Sequence, residues 1–420
     1  MAKVELIREE LKMTQRPRAA LIGIALALML VPLAAKTASA KQPDIDAAAA
    51  AKTKAGQAAL SHPAPDPPGP KARGTFITFD VPGAVTSTNP ASINVAGDIT
   101  GTYTDANGLI HGFLRARNGA FTTFDVPGGT STFPDSINPA QAVAGSFFYL
   151  DDPNSASHGF LRIGNGTLTL FDVPGGETAI LRTAINPEQA TTGSFFYLND
   201  PNAILHGFLR TRDGNITTFD APDAGTTGLS FPQGTAAVDI SPDGVILGIY
   251  TDANFDNHGF LRARNGSFSS FDSPGQIAAF APFSFGTNLS MNPAGVIAGT
   301  YFQPIAGNPF GGNFRVFVRA ADGTFTTFDA ATYPPCCIWS FPSGITPSGT
   351  IIGSFNDGFT VNHGFLRTSD GTVTTFDVPG AGNGFDQGTA PLGITPAGVI
   401  MGVYMDANGV SHGFLFLPQS

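Results

Sequence analysis

The sequence predicts an all-β protein: a seven-bladed β-propeller of four-stranded antiparallel blades, closed by an N-terminal strand that completes the last blade. Three observations predict this fold. One sequence pattern occurs seven times after residue 73, two spacings inside that pattern are constant, and each end of the repeat region carries one strand without a partner. Self-similarity at a period of roughly fifty residues is typical of propellers and other repeat architectures.

The composition fits this fold class. The chain has 51 Gly and 33 Pro, yet 42% of its residues are hydrophobic and 36 are Phe, while only 13% are charged. Frequent turn formers together with many large apolar side chains indicate short strands around a large buried core. The chain lacks the periodicity of a long amphipathic helix.

Each repeat contains four segments of strand character, which we call strands a, b, c and d in chain order. Strand a ends near Ser-Ile-Asn, strand b ends at an aromatic residue, strand c begins with His-Gly-Phe, and strand d precedes an Asp. Asn-Gly or Asp-Gly between c and d is a strong hairpin signal. In strand d, Phe121 and Phe124 lie three residues apart and therefore point to opposite faces. A strand that is buried on both faces suits a blade stacked between two neighbours.

The motif histidines and aspartates recur once per repeat. The histidines are His111, His158, His206, His258, His363 and His412, with Arg315 in a degenerate fifth copy. The aspartates are Asp80, Asp125, Asp172, Asp220, Asp272, Asp329 and Asp377. Residues that recur in every blade cannot all meet in one catalytic site, so we predict a structural role, namely a hydrogen bond or cap that orders each blade.

The spacings locate a candidate binding face. The step from the Asn position of strand a to the aromatic residue of strand b is nine residues in every repeat, as from Asn94 to Tyr103, and the step from His111 to Phe124 is thirteen. The b–c step varies from 8 to 14 residues and the d–a step from 13 to 21. The b–c and d–a loops share one side of an antiparallel blade. We call this side the variable face and expect it to bind a ligand.

The two ends of the repeat region predict closure. Gly74–Asp80 reads as an isolated strand d, and His412–Pro418 reads as a strand c without a following strand d. Pairing these two strands would close a ring and remove two open sheet edges. A solenoid is the competing architecture, with a right-handed β-helix as its main form, although the rungs of such a helix are usually about half this length.

The N-terminus predicts export. Arg16 and Arg18 precede an apolar run over residues 19–35, and a small-x-small cleavage signal ends residues 1–40. Met13 is an alternative start that would leave a conventional signal peptide. The competing interpretation is an uncleaved membrane anchor. We expect the mature protein to be secreted, periplasmic or at the cell surface, without a membrane span.

The mature chain divides into two segments. Residues 41–73 form an Ala- and Pro-rich linker, and residues 74–420 form the predicted propeller. Without residues 1–40 the chain carries 16 basic and 29 acidic residues, a net charge of −13. This charge argues against nucleic acid or anionic lipid as a partner. We expect a monomer.

These repeats resemble the bacterial extracellular family called HAF after its His-Ala-Phe motif. The family pattern reads INxxGxVxG followed by HAF, and Gly stands here in place of the Ala. The resemblance covers residues 74–420 and implies export and a repeat architecture, which is predicted to be a propeller. Arg315–Arg319 departs from the pattern without changing the spacing.

Three aspartates suggest a metal site. Asp105, Asp252 and Asp406 lie in b–c loops with neighbouring Asn or Asp residues, and calcium favours several such oxygens. The same D-x-N-G pattern also makes an ordinary turn. We expect no resident cofactor, with calcium as the one alternative.

A candidate ligand patch lies around a long aromatic loop. Tyr333, Cys336, Cys337 and the sole tryptophan, Trp339, fall within this d–a loop, and the neighbouring loops add Phe283 and Phe310. The two cysteines could form a vicinal disulfide or remain free. Exposed aromatic side chains on the variable face are typical of a binding patch, although some of them must also pack locally.

We therefore predict a binding module that recognises a glycan, peptide or protein through the variable face. No catalytic motif occurs in a supporting context, so we assign no catalytic residue. The alternative is an extracellular hydrolase or lyase with its site at the channel mouth on the same face. An enzyme predicts non-repeating ionisable groups near the propeller axis, whereas a binder predicts aromatic and amide groups.

Overall fold

The computed structural model describes residues 70–149, 156–227, 233–277, 289–305, 308–331, 339–357 and 361–419. The only regular secondary structure in these ranges is the β-strand, which confirms the all-β prediction. No helix in the described part of the chain is long and apolar enough to cross a membrane. The predicted signal peptide, most of the linker, and Phe283, Tyr333, Cys336 and Cys337 lie outside the described residues.

The strands follow the repeat. An isolated strand, β1 (Gly74–Phe79), comes first. The next two repeats contain β2 (Ser87–Ile93), β3 (Ile99–Thr104), β4 (Ile110–Arg115) and β5 (Phe121–Phe124), then β6 (Gly129–Ile137), β7 (Val143–Tyr149), β8 (Ser157–Arg162) and β9 (Leu168–Phe171). Two further repeats contain β10 (Thr178–Ile185), β11 (Thr191–Tyr197), β12 (His206–Arg210) and β13 (Ile216–Phe219), then β14 (Gly234–Ile240), β15 (Ile246–Thr251), β16 (Asn257–Arg262) and β17 (Phe268–Phe271).

The later repeats are less regular. In the fifth repeat strand a is represented by β18 (Gln276–Ile277) and β19 (Leu289–Met291), which both pair with β20 (Ile297–Ile305) and precede β21 (Asn308–Arg319) and β22 (Phe325–Phe328). The sixth contains β23 (Trp339–Ile345), β24 (Ile351–Asn356), β25 (Asn362–Arg367) and β26 (Val373–Phe376). The last contains β27 (Gly388–Ile394), β28 (Ile400–Met405) and β29 (Ser411–Pro418).

Each repeat is an antiparallel sheet with tight, hydrogen-bonded a–b and c–d turns. In the first a–b turn, Asn94 Oδ1 accepts the backbone N–H groups of Ala96 and Asp98 at 3.0 and 2.9 Å. Gly97 completes this turn at a φ of 89°, a left-handed conformation that favours glycine. The aromatic residue near the end of strand b lies opposite the motif histidine, as Tyr103 lies opposite His111.

The hydrophobic core lies between neighbouring repeats. Phe113 of strand c has no exposed surface, and its ring packs 6.0 Å from that of Phe121. Phe121 also contacts Phe79 of the preceding strand d, whereas Phe124 packs 6.1 Å from Phe160 of the following repeat. The two ends of strand d therefore serve opposite interfaces, as the sequence predicted.

The arginine at the end of strand c also joins neighbouring repeats. Arg162 places its guanidinium 4.9 Å from the ring centroid of Phe124, a cation–π contact with the preceding repeat. The same contact occurs at Arg115, Arg210, Arg262, Arg319 and Arg367. In the last repeat Phe416 replaces the arginine and stacks on Phe376 at 4.8 Å. An aromatic pair thus replaces the cation–π contact at this interface.

The first and last repeats are in contact. Strand β1 pairs antiparallel with β29 over six residues, from Gly74 opposite Pro418 to Phe79 opposite Gly413. Strand a of each repeat packs against strand a of the next, and β27 packs against β2. Strand β1 therefore pairs with strand c of the last repeat, the strand with which strand d pairs in the other repeats.

Candidate functional site

The variable face carries most of the exposed large apolar side chains. Those at this end of the strands are Val85, Leu109, Tyr149, Phe255, Trp339 and Phe385. The other described exposed large apolar residues are Ile77, Leu170 and Leu417 on strands, and Val95 in an a–b turn. Phe385, in a d–a loop, is 80% exposed. Apolar surface on loops of variable length is typical of a binding face.

Trp339 is the one residue of the predicted ligand patch whose side chain lies within the described residues. Trp339 begins strand β23, is 39% exposed, and meets the ring of Phe314 edge-on at 5.7 Å. Phe310 lies on β21, but its side chain is outside the described residues, as are Phe283 and the loop with Tyr333, Cys336 and Cys337. The ligand-binding role of this patch stays a prediction.

The motif histidines and aspartates meet in pairs. The Nδ1 atom of the histidine lies 2.6 to 3.0 Å from a carboxylate oxygen in the pairs His111–Asp125, His158–Asp172, His206–Asp220, His258–Asp272, His363–Asp377 and His412–Asp80. Because an ionised carboxylate only accepts hydrogen bonds, Nδ1 carries the proton. The last pair joins strand β29 to the residue after β1, so this contact also links the two ends of the repeat region.

Each of four histidines has a second carboxylate on its other side. His111 Nε2 lies 3.5 Å from Asp105 Oδ2, and the equivalent distances are 3.8 to 3.9 Å in the pairs His258–Asp252, His363–Asp357 and His412–Asp406. The aromatic residue of strand b covers the imidazole, as Tyr103 stacks on His111 at 5.0 Å. In each of these four repeats the imidazole thus lies between two carboxylates and stacks on the aromatic ring of strand b.

The degenerate fifth copy keeps the carboxylate contact with another cation. Arg315 Nε and Nη2 donate to the two oxygens of Asp329 at 2.7 and 2.8 Å, and Nη1 donates to Gln303 Oε1 at 2.9 Å. The bonds to Asp329 raise the pKa of Arg315. A bidentate arginine thus replaces the histidine without loss of the link between strands c and d.

Substitution of one histidine tests the structural role. We expect His258→Ala to lower the free energy of unfolding by about 1 kcal/mol, because it removes the hydrogen bond to the mostly exposed Asp272 and the stacking on Tyr250. Chemical denaturation measures the loss. Arg315→His, which restores the motif, is the matched control and should fold normally. An unchanged stability of His258→Ala would contradict the structural role.

The predicted calcium residues act as turn caps. Asp105 Oδ1 accepts the backbone N–H groups of Asn107 and Leu109 at 2.8 and 2.9 Å, and Oδ2 accepts Asn107 Nδ2 at 3.1 Å. The bond from Leu109 is the largest of the effects that lower the pKa of this carboxyl group. Asp252 and Asp406 make equivalent bonds. In the described ranges no group of three or more His, Cys, Asp or Glu side chains could hold a metal ion. Calcium stays a prediction.

One set of ionisable groups was recognised only in the structure. Asp135, Arg182 and Asp239 lie on three successive a strands, β6, β10 and β14. The positive charge of Arg182 acts on both carboxyl groups, yet removal from water raises the pKa of Asp135 to about 6 and also raises that of Asp239. These charged residues interrupt a strand that is otherwise apolar or small and polar, and that departure is the signal that could have revealed them.

The two carboxylates also connect neighbouring repeats. Asp135 Oδ2 accepts the backbone N–H and the hydroxyl of Thr183 at 3.0 and 2.9 Å. Asp239 accepts the backbone N–H of Ile240 at 2.8 Å and that of Met291 in the next repeat. Both lie within two residues of the end of strand a, next to the a–b turns. The set is therefore at the end of the blades opposite the variable face.

Comparison with known proteins supports the fold class. No family model matches the chain, and no curated protein matches it. Among solved structures, the chain is similar to a streptogramin B lyase at 15% identity and a TM-score of 0.50, over 82% of this chain and 98% of that one. It is also similar to virginiamycin B lyase from Staphylococcus aureus at 16% identity and a TM-score of 0.50, over 82% of this chain and 100% of that one. At this identity the likeness shows the fold alone, and the chain has the fold of a β-propeller protein.

Proposed function

We propose that the chain is an exported, closed, seven-bladed propeller that binds a glycan, peptide or protein ligand through its variable face. The pairing of β1 with β29 and the packing of β27 against β2 support closure. The N-terminal apolar run supports export, and the HAF-like repeats are consistent with it.

One observation carries the binding proposal. The a–b and c–d turns are fixed in length and satisfied by internal hydrogen bonds, whereas the opposite end combines variable loops with exposed apolar groups such as Phe385 and Trp339. Exposing such groups to water is unfavourable by about 25 cal/mol per Å² of apolar surface. A ligand that covers them would recover part of that free energy.

Screening followed by substitution tests this proposal. The mature chain is screened on a glycan array and against a displayed peptide library, and each hit is titrated against Trp339→Ala and Phe385→Ala. We expect at least one of these variants to weaken binding about tenfold or more. Val95→Ala, an exposed apolar residue in an a–b turn on the opposite side, is the matched control and should bind normally. Hits that are insensitive to both variants, or weakened equally by Val95→Ala, would contradict the proposed face.

A hydrolase or lyase is the second candidate, and Asp135, Arg182 and Asp239 are the observation that favours it. They are non-repeating and lie on adjacent a strands, the position at which a propeller enzyme would place such groups. Their position beside the a–b turns differs from the channel mouth on the variable face at which we expected an enzyme site. If a panel of ester, lactone and glycoside substrates reveals an activity, Asp135→Asn and Asp239→Asn should abolish it. Activity that survives both substitutions would exclude this site.

A further inference from the structure

The residues before the first repeat form a short parallel β-bridge with the edge of a blade. The Thr375 N–H donates to the Pro70 carbonyl at 3.0 Å, and the Ala72 N–H donates to the Thr375 carbonyl at 2.8 Å. These two bonds place Lys71 in a parallel bridge with Thr375 on β26. The predicted linker thus reaches the folded body at residue 70, before its expected end at residue 73.

Side chains add to this contact. Lys71 Nζ lies 3.6 Å from Asp377 Oδ2, while Asp377 Oδ1 remains bonded to His363. The aspartate after strand d therefore pairs with a histidine and a lysine at the same time. Ala72 packs against the core cluster that contains Phe376 and Phe414. The segment is held by backbone pairing, one ion pair and a small apolar contact.

The same edge is available on other d strands. Thr375 lies opposite Phe365 of strand c, and the corresponding residue lies opposite the same motif phenylalanine in six other d strands. These residues are Thr78, Thr123, Leu170, Thr218, Ser270 and Thr327. The shared register directs their backbone N–H and C=O groups outward, as in Thr375. All six residues are exposed, whereas Thr375 is 1% exposed because residues 70–72 cover it.

An aspartate like Asp377, the partner of Lys71, also follows the other d strands. The aspartate side chains after five of these strands are 51 to 75% exposed: Asp80, Asp125, Asp172, Asp220 and Asp272. Asp329, after β22, is only 15% exposed because Arg315 occupies both of its oxygens. In the described part of the chain, β1, β5, β9, β13, β17 and β22 each pair with one strand, strand c of the blade, and no strand pairs with their outer edges. Five edges thus combine an open backbone with an accessible carboxylate.

We propose that the outer edges of β1, β5, β9, β13 and β17 bind an extended, lysine-bearing segment of a partner polypeptide in parallel register, as β26 binds Pro70–Ala72. Addition of a strand to an open edge is an established mode of peptide recognition. The backbone bonds supply affinity, and the aspartate selects for the lysine. This surface is the rim of the blades, so the proposal stands independently of ligand binding at the variable face.

The test uses a peptide with the sequence of residues 66–74 (DPPGPKARG) and the mature protein. Fluorescence anisotropy measures binding, and residue-resolved hydrogen exchange locates it. In the free protein the Thr375 amide should already exchange slowly, whereas the amides of Thr123 and its four equivalents on the other proposed edges exchange fast. We expect the peptide to slow exchange at those five sites. Protection should be weakest at Thr327, because Arg315 already occupies both carboxylate oxygens of the nearby Asp329.

Methylated peptides separate strand pairing from charge attraction. A methyl group on the amide nitrogen of the alanine should weaken binding about tenfold or more, because that N–H donates to the edge. A methyl group on the backbone amide nitrogen of the lysine is the matched control. It should be tolerated, because in this register the N–H of the lysine points away from the edge strand. A peptide with Glu in place of the lysine should also bind at least about tenfold more weakly.

A protein variant provides the second test. Thr123→Pro removes an outward N–H that pairs with no strand of its own blade, a position at which an edge strand tolerates proline. Exchange protection by the peptide should disappear at β5 and persist at β9 and β13, while the thermal unfolding temperature shows that the variant is folded. The proposal would be overturned if no edge amide were protected, if methylation of the alanine had no effect, or if the Glu peptide bound equally well.

Discussion

The Phe260→Ala variant is expected to lose about 3–5 kcal/mol of unfolding free energy. The Phe260 side chain has no exposed surface and packs between two repeats, 5.6 Å from the ring of Phe268 and 6.4 Å from that of Phe219. Its truncation removes apolar burial and leaves a cavity that β-sheet backbones on both sides cannot fill by collapse. Equilibrium denaturation in guanidinium chloride measures the loss.

Phe385→Ala is the matched control. This phenylalanine is 80% exposed in a d–a loop, so its removal should change stability by no more than about 0.5 kcal/mol. Equal effects at the two positions would mean that the interface between neighbouring repeats is not the core of the protein.

The Asp135→Asn variant should alter how stability depends on pH. The pKa of Asp135 is raised to about 6 in the folded chain, whereas an unfolded aspartate titrates near about 3.9. The folded protein therefore holds this proton more tightly than the unfolded chain. The resulting stabilisation is complete below about pH 4 and is lost as the pH rises through about 6, by up to about 3 kcal/mol. Asparagine does not titrate, and it can still accept the N–H of Thr183.

Unfolding free energies of wild type and Asp135→Asn, measured at intervals between about pH 4 and pH 7, test this expectation. The stability of the variant relative to wild type should rise over this range, because the titration of all other groups is common to both proteins. Arg182→Met, made in the otherwise wild-type protein, should make the free energy of unfolding depend more strongly on pH. This substitution removes the positive charge that acts on Asp135 and Asp239. A stability difference that does not change with pH would contradict the raised pKa.

The fold could be predicted from the sequence because its rules are local. The constant nine-residue step from Asn94 to Tyr103 indicates one a–b hairpin in every repeat, and the structure pairs Ile93 with Ile99 across this turn. The Asn-Gly pair before strand d gives a tight turn at Gly119, which has a φ of 90°. Repetition of these local rules in every repeat made the strands and a recurring hydrogen bond of the motif residues predictable, whereas the partnership of each histidine with an aspartate emerged only from the structure.

The candidate sites were harder to predict because they depend on contacts between repeats. Asp135, Arg182 and Asp239 are far apart in the chain and become neighbours only when three a strands stack side by side. The pairing of Lys71 with Thr375 joins residues about 300 positions apart, and no periodicity marks residues 70–72 as a strand. Aromatic loops such as the one before Trp339 follow no repeat rule, so the sequence predicted their face but not their contacts.

A cysteine cross-link tests most directly whether β1 closes the proposed ring. Thr75 and Leu417 are exposed residues that lie opposite one another in the β1–β29 pairing. Directly opposed residues have Cα atoms about 4.5–5.5 Å apart, within the range of a disulfide. The background carries Cys336→Ser and Cys337→Ser, and Thr75→Cys with Leu170→Cys, on another blade, is the control pair. We predict that Thr75→Cys with Leu417→Cys forms an intramolecular disulfide in the folded protein while the control pair does not. Free thiols at both positions of the folded test variant would contradict a ring closed by β1.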